Sequence, residues 1–445
     1  MKFPLRRTSP FGRALLNVAW LLTGKGVGAA LSLVYLALAT RSLGREAFGQ
    51  FMLILSTGQA AAALVGFQTW QIVVRYGMAH LERGRGDALG RLVRFCTTLD
   101  VGAALAGCGL SAAALLLMRS RFGWSEALTL QAVLFCVVLL LSFRSTAVGV
   151  LRLHDRYGLG ATADAVTPIV RFVGAIVAVW QHATVTGFLI AWALAEVVTA
   201  AVYWISAART APGVLRGRGR IGQTAAENEG LWHFAFVTNM NSTLNAVSRQ
   251  FIVVLVGFLT GAAAAGSYRL AYQLSQSLVR VSEMFSRGVF PEVTRADASE
   301  TRADLHTLVR QSVRLSVAAG LVACLLAPLL GLPVLQLVAG KSYLGAYPIL
   351  VVLGIAAGLD IMTAGFEPVL LGTGRAGLAL RIRVAAALAL FAGVVLLIPR
   401  FGVTGAAFAT LLGSAVALAL LARTALRLAG AAGEGAPPPS VAEKP

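Results

Sequence analysis

The stretch SYRLAYQLSQSLVRVSEMFSRGVFP, residues 267–291, decides the fold class because it is apolar enough for a membrane yet carries charges along its length. Six polar residues recur at spacings of 4, 3, 4, 3 and 4. On a helix they share one face, within an arc of roughly 80°. They are Arg269, Gln273, Gln276, Arg280, Glu283 and Arg287. The helix would rise by about 27 Å between the first and the last, which is close to the thickness of the hydrocarbon core of a bilayer.

The charges on this helix need a polar environment. A charge that faces lipid near the bilayer centre costs about 2.5 to 3.5 kcal/mol on insertion scales. Four charges on one face therefore indicate a water-filled cavity or buried partners. The alternative is an amphipathic soluble or interfacial helix, which the neighbouring apolar segments disfavour.

The composition of the whole chain supports a membrane protein. Of its 445 residues, 57% are hydrophobic and 13% are charged, and the mean hydropathy is +0.77, outside the range of soluble domains. The net charge of +19 would favour nucleic acid as a partner of a soluble protein. Because the basic residues cluster between apolar segments, we expect no nucleic-acid partner. The cysteines lack metal-ligand spacing, so we expect no metal site.

Apolar segments of spanning length predict an all-α polytopic membrane protein with about twelve transmembrane helices. They lie at residues 14–39, 50–74, 95–118, 127–150, 163–180, 187–207, 234–259, 267–290, 311–332, 347–371, 384–399 and 405–425. Connections after odd-numbered spans are very short, whereas those after even-numbered spans are longer and basic. Lys and Arg number 25 on the side of the longer connections and the termini, counting Arg314 and Arg423 at the ends of their spans, against 6 on the other side. The positive-inside rule therefore predicts that both termini are cytoplasmic.

Two motifs recur at one period. SLGREAFGQFML around Gly49 resembles FLTGAAAAGSYRL around Gly266, and VTGFLIAWALAE around Gly187 resembles VTGAAFATLLGS around Gly405, at offsets of 217 and 218. Chance similarity of glycine-rich loops is the alternative. A true repeat predicts two six-helix lobes related by a pseudo-two-fold axis along the membrane normal. The predicted parts are an N-terminal lobe (1–212), a cytoplasmic linker (213–232), a C-terminal lobe (233–427) and a disordered cytoplasmic tail (428–445).

Polar faces on other spans predict a shared cationic cavity. Under the repeat, the first two spans correspond to the seventh and eighth, so their polar faces are expected to meet. Arginine matches phosphate with two parallel hydrogen bonds, which favours a phosphorylated substrate. The alternative for each arginine is a structural role. It would form an ion pair within the protein, or lie at the end of a span with its side chain reaching the membrane–water interface. The predicted binding residues are Lys25, Arg171, Arg249, Arg269, Arg280 and Arg287, with Asn241, Asn245, Gln273 and Gln276 in support.

Isolated charges within other spans predict coupling or gating. An intramembrane carboxylate is a default candidate for proton or sodium coupling, and a structural ion pair is the alternative. The repeat offset places Arg144 near Asp360, which suggests a pair that forms or breaks during transport. Glu196 lies in the middle of a span, and either ion coupling or a structural ion pair would explain it. The coupling or gating candidates are Glu283, Asp360, Arg144 and Glu367, and we expect no other cofactor.

Four motifs carry a family resemblance that covers essentially the whole chain: RSLGREAFGQFMLILS, TGAAAAGSYRLAYQLSQ, LLGTGRAG and FGVTGAAFATLLG. They resemble the polysaccharide flippases of the multidrug/oligosaccharidyl-lipid/polysaccharide exporter superfamily. The resemblance implies a bacterial inner-membrane protein that moves an undecaprenyl-diphosphate-linked oligosaccharide from the cytoplasmic to the periplasmic leaflet by alternating access. It also implies a polysaccharide polymerase and a chain-length regulator as partners.

Two other function classes fit parts of the pattern. A multidrug exporter of the same superfamily would need an acidic or aromatic cavity, whereas the predicted cavity is basic. A membrane enzyme of polysaccharide assembly would need a sizeable outer loop, whereas the outer connections are only a few residues long. The chain contains neither an HExxH motif nor a GxxxxGK[ST] motif. We therefore predict a transporter and not an enzyme.

Overall fold

The computed structural model describes residues 10–214, 221–277, 304–372 and 376–433. Within these ranges, side chains are described except at 10–27, 241–242, 244–249, 304–312, 364–365, 367–372, 376, 379–380 and 425–433. The described residues contain no strand, so the all-α prediction is confirmed. They form α1 (Pro10–Val65), α2 (Thr69–Glu82), α3 (Gly86–Phe122), α4 (Glu126–Leu141), α5 (Ser145–Leu153), α6 (Tyr157–Trp180), α7 (Val185–Thr210), α8 (Thr224–Glu227), α9 (Leu231–Thr260), α10 (262–277), α11 (Asp304–Ala339), α12 (Tyr347–Gly372), α13 (Ala376–Phe401) and α14 (Val403–Gly433).

Apolar helices account for the predicted spans. Eight segments of the described chain are long and apolar enough to cross a membrane. Two of them, Gly28–Glu82 and Arg381–Thr424, have 55 and 44 residues, and a single crossing needs about 20. Each therefore contains two predicted spans. With α9 and α10 at the seventh and eighth spans, the prediction of about twelve transmembrane helices is confirmed.

Two spans that we expected to be continuous are broken. The predicted span at 50–74 is interrupted at residues 66–68, between α1 and α2, and the span at 127–150 is interrupted at 142–144, between α4 and α5. Backbone groups without partners are costly in hydrocarbon, so such breaks are tolerated where they line a cavity or are buried in protein. Hydropathy averages over a window and cannot detect a gap of three residues.

The chain divides into two compact units. The first comprises Met1–Gly266 and Leu337–Ser342, and the second comprises Ser267–Gln336 and Tyr343–Pro445. The first unit thus includes α9, one span beyond the predicted end of the N-terminal lobe. The predicted lobe, linker and tail bounds stay predictions, and residues 434–445 of the predicted tail lie outside the described residues.

A hydrophobic core in the first unit fixes the two half-helices that follow the breaks. Ile72 and Val73 of α2 pack with Leu92 of α3 and Val150 of α5, all at most 1% exposed. Gly149 permits the close crossing of α2 and α5, because a β-carbon there would lie 2.8 Å from Cβ of Val73. The α2 and α5 N-termini are consequently held side by side.

The connection before α9 is attached to the same unit. Arg91 of α3 donates to both carboxylate oxygens of Glu227, at 3.1 and 2.6 Å. The buried side chain of His80 forms a hydrogen bond with Asn228, in which Nε2 of the ring lies 2.9 Å from Oδ1. Residues 221–229, inside the predicted linker, therefore pack on α2 and α3.

The two glycines that the repeat matched are in contact. A β-carbon on Gly49 would lie 2.1 Å from the carbonyl oxygen of Ala262, and one on Gly266 would lie 2.8 Å from Cα of Gly49. Since the obstacle is backbone, Gly49→Ala is expected to lower the free energy of unfolding by about 1–3 kcal/mol. Thermal unfolding of the purified protein in detergent measures this loss.

Gly102→Ala is the matched control for Gly49→Ala. Gly102 also lies inside a helix, but a β-carbon added there would meet nothing within 4 Å. The alanine should leave stability unchanged or raise it by up to about 1 kcal/mol through helix propensity. Equal unfolding midpoints for the two variants would contradict the packing argument.

Candidate functional site

A cavity in the first unit lies at the two helix breaks. Its volume is about 610 Å³, within the usual range of about 300–1,000 Å³ for ligand sites. Both breaks contribute a phenylalanine followed by a polar residue, Phe67–Gln68 and Phe143–Arg144. The remaining polar or charged lining residues are Gln59, Asp100, Ser142, Ser145, Glu196 and Thr243. The cavity thus explains how the membrane-spanning segments accommodate the breaks.

Asp100 of α3 joins the N-termini of α2 and α5. The Thr69 hydroxyl donates to its carboxylate at 2.9 and 3.0 Å. The Thr146 hydroxyl and backbone N–H donate to Oδ2 at 2.6 and 3.1 Å. Asp100 is 5% exposed, and a carboxylate at helix N-termini is stabilised by the helix dipoles. The residue therefore links the first turns of α2 and α5 and holds the two breaks together.

Ser145 reinforces the same junction. Its hydroxyl accepts a hydrogen bond from the backbone N–H of Trp70, at 3.2 Å. The Trp70 indole donates to Gln68 Oε1 at 2.9 Å, and the Arg152 guanidinium lies 4.1 Å from the Trp70 ring centre. The side chains around the first break therefore have defined positions.

A charged triad forms part of the cavity wall. Arg144 donates to Glu196 Oε2 at 2.7 Å, and Arg171 donates to Glu196 Oε1 at 2.6 Å. The side chain of Glu196 is 9% exposed, against 31% for Arg144 and 16% for Arg171. Because each carboxylate oxygen of Glu196 has a cation, the acid acts as a structural partner, the alternative that the sequence left open.

The triad ends a row of polar contacts between α6 and α7. The Tyr203 hydroxyl donates to Asp164 at 2.6 Å, and the Thr167 and Thr199 hydroxyls are 2.8 Å apart. The polar face of α6 that carries Arg171 was expected to face the cavity. Instead it packs on a matching face of α7, and Arg171 is absent from the cavity lining. A role for Arg171 in substrate binding stays a prediction.

Arg144 has a partner other than the one expected from the repeat. Its described ion pair is with Glu196, so Asp360 is not required to neutralise it. Asp360 is exposed on α12. A pair between Arg144 and Asp360 during transport stays a prediction.

The structure describes the side chains of some of the remaining predicted site residues and not those of others. Arg269, Gln273 and Gln276 lie on α10 in the second unit and are half-buried. The neighbouring Tyr268 is buried and its hydroxyl lies 2.8 Å from that of Thr410, which anchors α10 to α14. Arg280, Glu283 and Arg287 lie outside the described residues, as do the side chains of Lys25, Asn241, Asn245, Arg249 and Glu367.

Sequence reasoning missed Asp100. The sequence did contain a signal for it, because Asp100 is the one acidic residue of the apolar third span. An acidic residue in such a span is by default either a functional group or one member of a structural pair. The neighbours that matter, Thr69 and Thr146, lie 31 and 46 residues away. Among the described residues, no group of three or more His, Cys, Asp or Glu could hold a metal ion.

The sequence matches a known family. A profile described as "Polysaccharide biosynthesis protein" matches residues 14–296, more than half of the chain. The inner membrane protein YghQ of Escherichia coli (strain K12) is 29% identical over 347 residues, which cover 76% of this chain and 96% of YghQ.

The fold is shared with solved transporters. An inward-facing MATE multidrug resistance transporter of the MOP superfamily aligns over 92% of this chain and 96% of its own, with a TM-score of 0.66 and 15% identity. The lipid II flippase MurJ, in an inward closed conformation, aligns over 91% of this chain and 87% of its own, with a TM-score of 0.63 and 12% identity. At these identities, the likeness establishes the two-lobe membrane fold and nothing finer.

Proposed function

The chain belongs to the polysaccharide biosynthesis protein family, and on this premise we propose that it is a flippase for lipid-linked oligosaccharides. It moves undecaprenyl-diphosphate-linked repeat units from the cytoplasmic to the periplasmic leaflet by alternating access. The fold that it shares with the lipid II flippase MurJ supports this proposal. So does the relative YghQ, named as an inner membrane protein, which favours a location in a bacterial inner membrane.

The observation that carries the proposal is a cavity with both polar and apolar lining groups inside an apolar helical bundle. Family membership indicates polysaccharide assembly, and the broken helices supply a cavity of about 610 Å³ for a hydrophilic head group. A flippase needs such a cavity because a sugar cannot cross hydrocarbon without replacing its hydrogen bonds to water.

The diphosphate is proposed to bind to the cationic residues. Of these, Arg269 is half-buried on α10, in the same helix as Gln273 and Gln276. Coupling to protons or sodium through Glu283, Asp360 or Glu367 is part of the same proposal. The further proposed elements are cytoplasmic termini and a polysaccharide polymerase with its chain-length regulator. The other proposed phosphate ligands are Lys25, Arg171, Arg249, Arg280 and Arg287.

A multidrug exporter is the second candidate, favoured by the fold shared with MATE transporters. A cationic drug needs a carboxylate that can act as its counterion. In the described cavity, Asp100 accepts bonds from Thr69 and Thr146, and Glu196 is paired with two arginines. This arrangement favours the flippase over the exporter. Neither candidate is an enzyme.

Leaflet-specific labelling of the glycolipid tests the function. In a host strain without a second flippase for the same lipid, gene deletion should trap the undecaprenyl-diphosphate-linked oligosaccharide in the cytoplasmic leaflet. Re-expressed Arg269→Ala should fail to release it, because a diphosphate ligand is lost, whereas the exposed Arg314→Ala should restore transport. Membrane insertion of each variant is verified on immunoblots.

An unchanged leaflet distribution in the deletion strain overturns the flippase. If the deletion strain also becomes sensitive to lipophilic cations, the multidrug exporter replaces it. If deletion traps the lipid but Arg269→Ala transports normally, the function stands and the assignment of Arg269 to the diphosphate is wrong.

A further inference from the structure

The first-unit cavity is lined by residues other than those of the cationic site expected from the sequence, which stays a prediction. The cavity wall contains Asp100, Arg144 and Glu196, with Arg171 bonded to Glu196 behind it. These four residues carry two negative and two positive charges. Within the part of the wall whose side chains the structure describes, these charges cancel, so this part gives no net attraction to either a diphosphate or a cation.

The acids in this wall are already satisfied. Both oxygens of Asp100 accept hydrogen bonds from hydroxyl or backbone donors, and both oxygens of Glu196 accept from guanidinium groups. Displacing such charge-assisted bonds costs about 1.5–3 kcal/mol each. A ligand that depends on a charge partner is consequently disfavoured here.

The other lining groups suit a ligand with many hydroxyls. Gln68 Oε1 accepts from the Trp70 indole, the Ser145 hydroxyl accepts from the Trp70 backbone N–H, and the Ser142 hydroxyl donates to the Val138 carbonyl. The Gln68 amide and the Ser145 hydroxyl can still donate, the Ser142 hydroxyl can still accept, and Gln59 lines the same cavity. Each sugar hydroxyl both donates and accepts. Acceptors and donors therefore surround the same space.

Aromatic rings complete this chemistry. Phe67 and Phe143 lie one in each break and both line the cavity. Aromatic faces pack against apolar groups, and the C–H face of a sugar ring is such a group. A mixture of aromatic rings and uncharged groups that both donate and accept hydrogen bonds fits a sugar ring better than it fits phosphate.

We infer that the first-unit cavity binds an uncharged sugar residue of the transported lipid, separately from the cationic residues that bind its diphosphate. This inference rests on the proposed function. It assigns Gln59, Gln68, Phe67 and Phe143 to sugar recognition. In consequence, affinity for the substrate has a component that depends on the sugar and not on the phosphate.

Binding of two lipids to the full-length protein in nanodiscs tests the inference. The probes are undecaprenyl diphosphate and undecaprenyl-diphosphate-linked N-acetylglucosamine, and the readout is the ratio of their Kd values. The wild type should bind the sugar-bearing lipid at least about tenfold more tightly, equivalent to about 1.4 kcal/mol. Gln59→Leu and Gln68→Leu should reduce the ratio towards one while the Kd of undecaprenyl diphosphate stays unchanged.

Gln131→Leu is the matched control for these variants. Gln131 lies on α4 of the same unit, outside the cavity lining, and accepts a hydrogen bond from Thr186 at 2.7 Å. It should keep the tenfold ratio. Binding of undecaprenyl diphosphate by every variant shows that each is folded.

Two outcomes separate the inference from the proposed function. If the wild type binds both lipids equally, or if both cavity variants keep its ratio, the sugar site is overturned and the flippase stands. If the wild type binds neither lipid, the proposed function itself fails and the sugar site fails with it.

Discussion

Glu196→Gln is expected to lower the free energy of unfolding by about 3–5 kcal/mol, the usual cost of removing one partner from a buried ion pair. The glutamine fits the space but leaves Arg144 and Arg171 without a counter-charge inside a membrane-spanning bundle. Uncompensated charge is especially costly in such surroundings. Equilibrium unfolding of the purified protein in mixed micelles measures the change.

Two further variants make the expectation specific to the centre of the triad. Arg171→Gln leaves the pair between Arg144 and Glu196 intact, so its cost should be smaller. Glu126→Gln removes an acid whose side chain is 84% exposed and paired with Arg119, and exposed pairs contribute about 0–1 kcal/mol. If Glu126→Gln or Arg171→Gln destabilises as much as Glu196→Gln, the triad is not organised around its carboxylate.

Asp100→Asn should destabilise the protein by about 3 kcal/mol and abolish transport. The amide loses the charge that accepts bonds from Thr69 and Thr146, and hydrogen bonds to charged groups contribute about 1.5–3 kcal/mol each. It also places an NH₂ group against existing donors. The N-termini of α2 and α5 would separate, and with them the two breaks that line the cavity. Unfolding midpoints and the leaflet-labelling assay measure the two effects.

Asp87→Asn provides the comparison within the same helix. Asp87 lies in the first turn of α3 and is exposed, so its interaction with the helix dipole is worth about 0.3–1 kcal/mol. Transport should continue in this variant. Thr146→Val should fall between the two, because it removes the hydroxyl donor and keeps the backbone N–H. Wild-type stability and transport in Asp100→Asn would show that the link through Asp100 is dispensable.

The paired state of Glu196 and Asp100 bears on coupling. An intramembrane carboxylate is a default candidate for binding a proton or sodium ion, but these two have structural partners in the first unit. The coupling candidates from the sequence, Glu283, Asp360 and Glu367, stay predictions. Selective loss of transport in Asp360→Asn, with unchanged binding of undecaprenyl diphosphate, would favour coupling at that position.

The amino-acid sequence by itself determined the fold class, the number of spans and the family. These follow from local properties, because a bilayer requires about 20 apolar residues per crossing and a helix satisfies its own backbone. Short motifs such as the one around Gly49 were also visible without a structure. The contact between Gly49 and Ala262 gives one physical reason for the glycine.

Only the tertiary structure decided which polar groups meet. The spacing of Asp164, Thr167 and Arg171 showed that they share a helix face, but not that α7 presents Tyr203, Thr199 and Glu196 to it. The breaks at 66–68 and 142–144 are likewise linked by Asp100, which joins residues from three separate spans. Periodicity gives the direction of a side chain relative to its own helix, whereas the partner depends on how helices pack. That packing placed a second cavity in the first unit, lined by residues other than those of the predicted cationic cavity, which stays a prediction.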